Sequence, residues 1–140
     1  MTIAMRPKVR APGSLEFRLN AAKDEKVHEE WLDAMRHSMM FIEEGLREQL
    51  IECHRTVGPI SQYNDLVTID NFDVRDRISE LKAPLVLVRG VDDPGKPAEY
   101  ELEIHEAVPG SKYIKLDQAG HFPMAERPAD INRAIEELMA

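Results

Sequence analysis

Pro84-Leu85-Val86-Leu87-Val88-Arg89-Gly90-Val91-Asp92-Asp93-Pro94 and, further on, Asp117-Gln118-Ala119-Gly120-His121-Phe122-Pro123 are the two stretches that decide how this chain folds. The uninterrupted apolar run Leu85–Val88 has the length and composition of a strand buried on both faces. Pro97 then opens a helix expected over residues 98–108, which Pro109-Gly110 stops, and Lys112–Leu116 reads as a second strand. Pro128 opens a last helix running to Leu138, with Ile131, Ala134, Ile135 and Leu138 as its apolar stripe. Strand, helix, strand, helix is a βαβα unit, so the fold class is α/β with the two strands parallel.

Reactive groups of open parallel sheets gather at the carboxyl ends of the strands. Asp93 and His121 stand at such ends, 28 positions apart, which is the separation that one strand-to-helix-to-strand excursion needs. An aspartate that accepts the N–H of an imidazole fixes its tautomer and stabilises the imidazolium once the ring has taken a proton from a nucleophile. Asp92, one residue earlier, is the alternative acid, because a one-residue error in the strand end would exchange the two. A different chemistry, with Asp93 and His121 as metal ligands or as an acid and base pair, is the third use of the same residues.

Upstream of Ala83-Pro84 the periodicity is helical. Val27, Trp31, Met35, Met39, Ile42, Leu46, Leu50 and Cys53 recur every three or four residues from Asp24 to Thr56, with Asp24 as the expected N-cap. That is long for one globular helix, and Gly45 weakens its interior, so a break is expected between Phe41 and Gly45. Gly58-Pro59 closes the region, residues 61–72 suggest a short helix, and Asp73 is expected to cap another from Val74 to Leu81. Residues 1–23, carrying Pro7, Pro12 and Gly13, read as an irregular entry segment with a brief strand at Leu15–Leu19. The organisation expected is therefore an entry segment over 1–23, a helical region over 24–82 and an α/β part over 83–140.

The 140 residues are about one domain's worth, 43% hydrophobic and 31% charged, which excludes a disordered chain. A formal net charge of −8 argues against nucleic acid or an anionic membrane as partner, since phosphates require a basic face. The single cysteine, Cys53, forms no internal disulfide and is expected on an apolar helix face as a structural residue. The N-terminus lacks the apolar run of a signal peptide or membrane span, so a cytoplasmic location is expected. His28, His37, His54 and His105 lack metal-ligand spacing and are read as helix residues, and no metal or other cofactor is expected. Met35, Met39 and Met40 beside Phe41 are read as ordinary core, with an adaptable substrate pocket as the alternative.

The strand-end motifs carry a resemblance. Leu85 to Pro94, followed by Ala119-Gly120-His121-Phe122-Pro123-Met124-Ala125-Glu126-Arg127-Pro128, is similar to the C-terminal portion of the α/β-hydrolase superfamily from Asp73 onward. The resemblance implies Asp93 as the acid, three residues after the glycine ending its strand, and His121 as the catalytic histidine. By position, residues 24–72 would correspond to the helical cap of that family. It also implies hydrolysis of an ester, thioester or activated carbon–carbon bond.

The departure is equally plain. The family's nucleophile elbow, Gly-x-Ser-x-Gly, should precede the cap. Here Ser14, Ser38, Ser61, Ser79 and Ser111 all lack glycines two residues to either side. Ser38 adjoins His37, but neighbours on a helix point about 100° apart, so the pairing is coincidental. Loss of a triad serine removes about six orders of magnitude in turnover, so this chain alone is not expected to be a competent hydrolase. Two strands are also fewer than a stable sheet normally has, so the Leu85 strand is expected to seek a neighbour. The expected partner is a nucleophile-bearing N-terminal hydrolase half that completes a small-molecule site. The alternative is a non-catalytic module that dimerises with a second copy, or binds another partner, through the strand edge.

Overall fold

The computed structural model describes residues 13–93 and 97–140. Their contacts divide between Asp73 and Val74 into two compact units, one wholly helical and one containing the sheet.

The helical unit begins with α1 (Ser14–Ala21), so Leu15–Leu19 is helix rather than the expected strand. The physical reason is packing: Ala21 is buried, and α1 lies against two further helices, whereas a strand here would have no described partner to bond. α2 (Glu25–Ser38) starts at the expected cap, Asp24, whose Oδ1 accepts the Lys26 amide N–H at 2.9 Å. The break in the long helical region falls at residues 39–43, and α3 (Glu44–Val57) follows. Gly45 lies in the first turn of α3, not in the break. The Glu43 carboxylate caps that turn, accepting from the amides of Gly45 at 2.9 Å and Leu46 at 3.0 Å.

The break also resets the phase of the apolar stripe. Leu32, Met39, Ile42 and Ile51 are buried, while Leu46 is largely exposed and Cys53 is exposed, contrary to the buried position expected of it. Of the methionine cluster, Met39 is core and Met40 points outward. α4 (Pro59–Asn71) is longer than the helix read from residues 61–72, because Gly58 at φ 78° turns the chain and Pro59 starts the new helix in its first position. Between these helices the Trp31 ring stacks on His28, meets His54 edge-on and carries the Arg18 guanidinium 3.4 Å over it.

The second unit begins without the expected helix. Instead of a helix from Val74 to Leu81, the chain makes a turn in which the Val74 carbonyl accepts from Arg77 and Ile78, followed by a single 3-10 turn at Ile78–Glu80. Leu81 is already extended, at φ −62° and ψ 118°, which ends the turn there. β1 (Val86–Gly90) and β2 (Lys112–Leu116) then pair in parallel, in register from Val86 opposite Lys112 to Gly90 opposite Leu116. Among the described residues the sheet has these two strands. Leu87 is buried, but Val86 and Val88 remain partly exposed, so β1 is not covered on both faces as expected.

α5 (Glu99–Ala107) makes the crossover, and Leu87, Ile104 and Val108 form the core beneath it with Ile78, Leu85 and Tyr113 packed around them. After β2 come a one-turn helix the sequence did not announce, α6 (Pro123–Glu126), and α7 (Pro128–Met139). Both pack against β1. The fold is thus α/β, helices followed by a βαβα unit. No described helix is long and apolar enough to cross a membrane.

Candidate active site

The site is built from backbone first. Where β1 and β2 end, the ladder continues by one bond, Val91 N–H to the Leu116 carbonyl at 3.0 Å, and the chain then turns through Asp117-Gln118, with Gln118 at φ 54°. The next link is Asp92 N–H to the Ala119 carbonyl at 2.9 Å. These bonds lay the loop after β2 directly on the end of β1. The fit is so close that a Cβ on Gly90 would collide with the carbonyl oxygens of Ala119 and Gly120, which is why glycine ends β1. Ala119 and Gly120 are themselves buried, so the residue that follows is delivered at a fixed point.

That residue is His121. Its Nδ1 lies 2.8 Å from Oδ2 of Asp93, whose side chain is 8% exposed while that of His121 is 27% exposed. A carboxylate only accepts, so Nδ1 carries the hydrogen, and in the neutral ring that leaves the lone pair on Nε2. The Phe122 ring stands edge-on to the imidazole at 5.1 Å between centroids. Asp92, the alternative acid, is exposed and lends its backbone rather than its side chain to the site. A cavity of about 210 Å³ runs along β1 to this pair, lined by the strand and by Asp93, Glu101, His121, Met124 and Ile131.

Glu126, to which the sequence reading gave no role, also belongs here. From the end of α6 its Oε2 accepts the Gly120 N–H at 2.6 Å, directly before the histidine. Burial pushes its carboxyl above the usual range; the Gly120 and Phe122 amides pull the other way, the charge of Asp93 adds to the rise, and that of His121 opposes it. No periodic pattern marks such a residue, because a one-turn helix has none; Pro123 at its first position was the available signal. Deeper in the unit, Arg89 on β1 and Glu101 on α5 form an ion pair at 3.2 Å with both side chains 11% exposed.

Of the remaining histidines, His28, His37 and His54 belong to the helical unit. His105 bonds the Ser111 hydroxyl at 2.8 Å, just before β2 begins and so at the opposite end of the sheet. His37 contacts the Asp33 carbonyl at 2.7 Å while the Ser38 hydroxyl donates to the Met35 carbonyl at 2.7 Å; the two neighbours each turn back on their own helix. No cluster of three or more metal-ligating side chains exists among the described residues.

Adjacent parallel strands that present an acid and a histidine from their carboxyl ends, with helices before and between them, define the class: the fold is that of the C-terminal portion of the α/β-hydrolases. Among solved structures, the enol-lactonase of Burkholderia xenovorans LB400 superposes with a TM-score of 0.73 at 20% identity, covering 97% of this chain and 53% of the enzyme. A bromoperoxidase from Bacillus anthracis gives a TM-score of 0.76 at 18% identity over 91% and 49% of the two chains. A thermophilic esterase from Thermogutta terrifontis gives 0.64 at 25% identity over 96% and 52%. In sequence, 60 residues are 30% identical to a Mycobacterium tuberculosis protein that carries the name non-heme bromoperoxidase BpoC, 43% of this chain and 23% of that one. The chain spans about half the length of the solved structures and about a quarter of that sequence relative. No protein-family model matches it.

Proposed function

We propose that this chain supplies the histidine and acid of an α/β-hydrolase active site, His121 as general base and Asp93 as the group that orients it, to a nucleophile carried on another segment or another polypeptide. The observation that carries the reading is the 2.8 Å contact between His121 Nδ1 and Asp93 Oδ2 at the ends of paired parallel strands. With Nδ1 committed to Asp93, Nε2 takes the proton of an attacking hydroxyl and later returns it to the leaving group. Asp93 holds the tautomer and stabilises the imidazolium. The reaction class is hydrolysis of an ester, thioester or activated carbon–carbon bond, with residues 24–72 corresponding by position to the cap of that family.

The completing half supplies a strand alongside β1, at the cavity that leads to the pair. That half makes up what the solved relatives have beyond the length matched here. The test is reconstitution: the chain is mixed or co-expressed with a hydrolase half bearing an elbow serine, encoded next to it, and assayed on a p-nitrophenyl ester. Hydrolysis should appear only with both chains and fall by about six orders of magnitude, to background, in His121→Ala. A chain that gives no hydrolysis with such a half and sediments as a homodimer sinks this reading in favour of a non-catalytic module that binds a second copy through β1.

A further inference from the structure

The loop that presents His121 is tied to the end of β1 by two backbone bonds, Val91 N–H to Leu116 and Asp92 N–H to Ala119. A further bond, nearest the histidine, is made by a side chain. Gly120 N–H, in a residue that is itself buried, donates to Glu126 Oε2 at 2.6 Å. An unmet buried amide costs about 1–3 kcal/mol, so this acceptor decides whether Gly120, and with it the His121 Cα, stays in place. Glu126 has little charge compensation. Asp93 on the β1 side is an acid, and the adjacent Arg127 is turned away to Asp130 Oδ2 at 2.7 Å and to the Asp117 carbonyl at 2.7 Å. Asp130 on α7 is shared with Arg133 at 3.6 Å, and among the described residues the cation-forming group acting on the Glu126 carboxyl is His121.

We propose that Glu126 is the positioning residue of the His121 loop: it fixes the imidazole against Asp93 by accepting the Gly120 amide hydrogen, and it acts as an acceptor rather than as a charge. The requirement is then a carbonyl-type oxygen at that point. A glutamine meets it equally well and avoids placing a second carboxylate beside Asp93. The weight of this for catalysis rests on the reading of His121 as base; the placement of the loop does not.

The experiment uses the full chain and nuclear magnetic resonance at neutral pH, with two readouts: hydrogen exchange of the Gly120 amide, and the low-field Nδ1 proton that His121 shares with Asp93, assigned by its loss in His121→Gln. In the natural chain both should be present. Glu126→Gln should keep both, and Glu126→Ala should lose the low-field proton and exchange the Gly120 amide about tenfold faster or more. Where the alanine variant fails to fold, Glu126→Asp, which keeps the charge but is one methylene too short, should show the same losses. The proposal is overturned if the glutamine variant loses the two signals, if the alanine or aspartate variant keeps them, or if the natural chain shows a rapidly exchanging Gly120 amide. A failure of reconstituted hydrolysis leaves all these readouts unchanged, so the two ideas fail separately.

Discussion

At the scale of single residues, the informative comparison is between Asp92 and Asp93. The sequence favours Asp93 as the acid, with Asp92 as the alternative, because a one-residue error in the strand end would exchange them. The structure separates them by register: β1 ends at Gly90, Asp92 spends its N–H on Ala119, and the next residue is the one whose carboxylate meets His121. Asp93→Asn in the reconstituted enzyme should therefore lower kcat by about four orders of magnitude with little change in KM, since an amide can donate to Nδ1 and favour the wrong tautomer. Asp92→Asn should leave both parameters within about twofold. Tyr113 offers a residue-level test of packing. Its hydroxyl is buried with no hydrogen-bond partner among the described residues, and burial raises its ionisation above the ordinary phenol range. Tyr113→Phe should thus stabilise the sheet unit by about 1 kcal/mol in urea denaturation.

At the scale of elements, the sequence spoke clearly where periodicity is long and caps are sharp. α2, α3, β2, α5 and α7 lie where the apolar spacing and the Asp24, Pro97, Pro109-Gly110 and Pro128 signals put them. It spoke poorly for short pieces. α1 is eight residues with a weak apolar face, and it is helical because of what it docks on. α6 is one turn, and the 3-10 turn at Ile78–Glu80 stands where a full helix was read. Glu126 was invisible for the same reason: six positions from Gly120, it belongs to no face until the loop closes. The junction of β1 with the His121 loop yields the prediction of this scale. Gly90→Ala drives a methyl into the Ala119 and Gly120 carbonyls, and backbone atoms there have no room to give. It should cost about 3 kcal/mol by urea denaturation and abolish reconstituted hydrolysis even with Asp93 and His121 intact.

At the scale of the whole molecule, the two units should answer pH in opposite directions. In the helical unit, burial, reinforced by the Arg18 charge, holds His54 below its ordinary range. The folded state therefore binds that proton less tightly than the unfolded one, and the unit loses stability as pH falls below the usual histidine value of about 6.5. Glu126 behaves inversely: its folded form holds the proton more tightly than an unfolded glutamate, so its contribution to the sheet unit is fully present below the ordinary glutamate value and fades as pH rises through the raised one. Thermal unfolding of the natural chain at pH 5.5 and 7.5 should show the helical unit melting earlier at the lower pH, and His54→Gln should remove most of that difference. An unchanged difference in the variant would place the sensitivity elsewhere.

Trp31 is the chain's only tryptophan, and it sits wholly inside the helical unit, between the His28 and His54 rings and beneath the Arg18 guanidinium. Indole emission is therefore an optical label for one unit alone. A melt followed by that emission watches α1–α4 lose their core, while the amide signal of the same sample follows every helix. The gap between the two curves measures how independently the helical unit and the unit that holds Asp93 and His121 come undone.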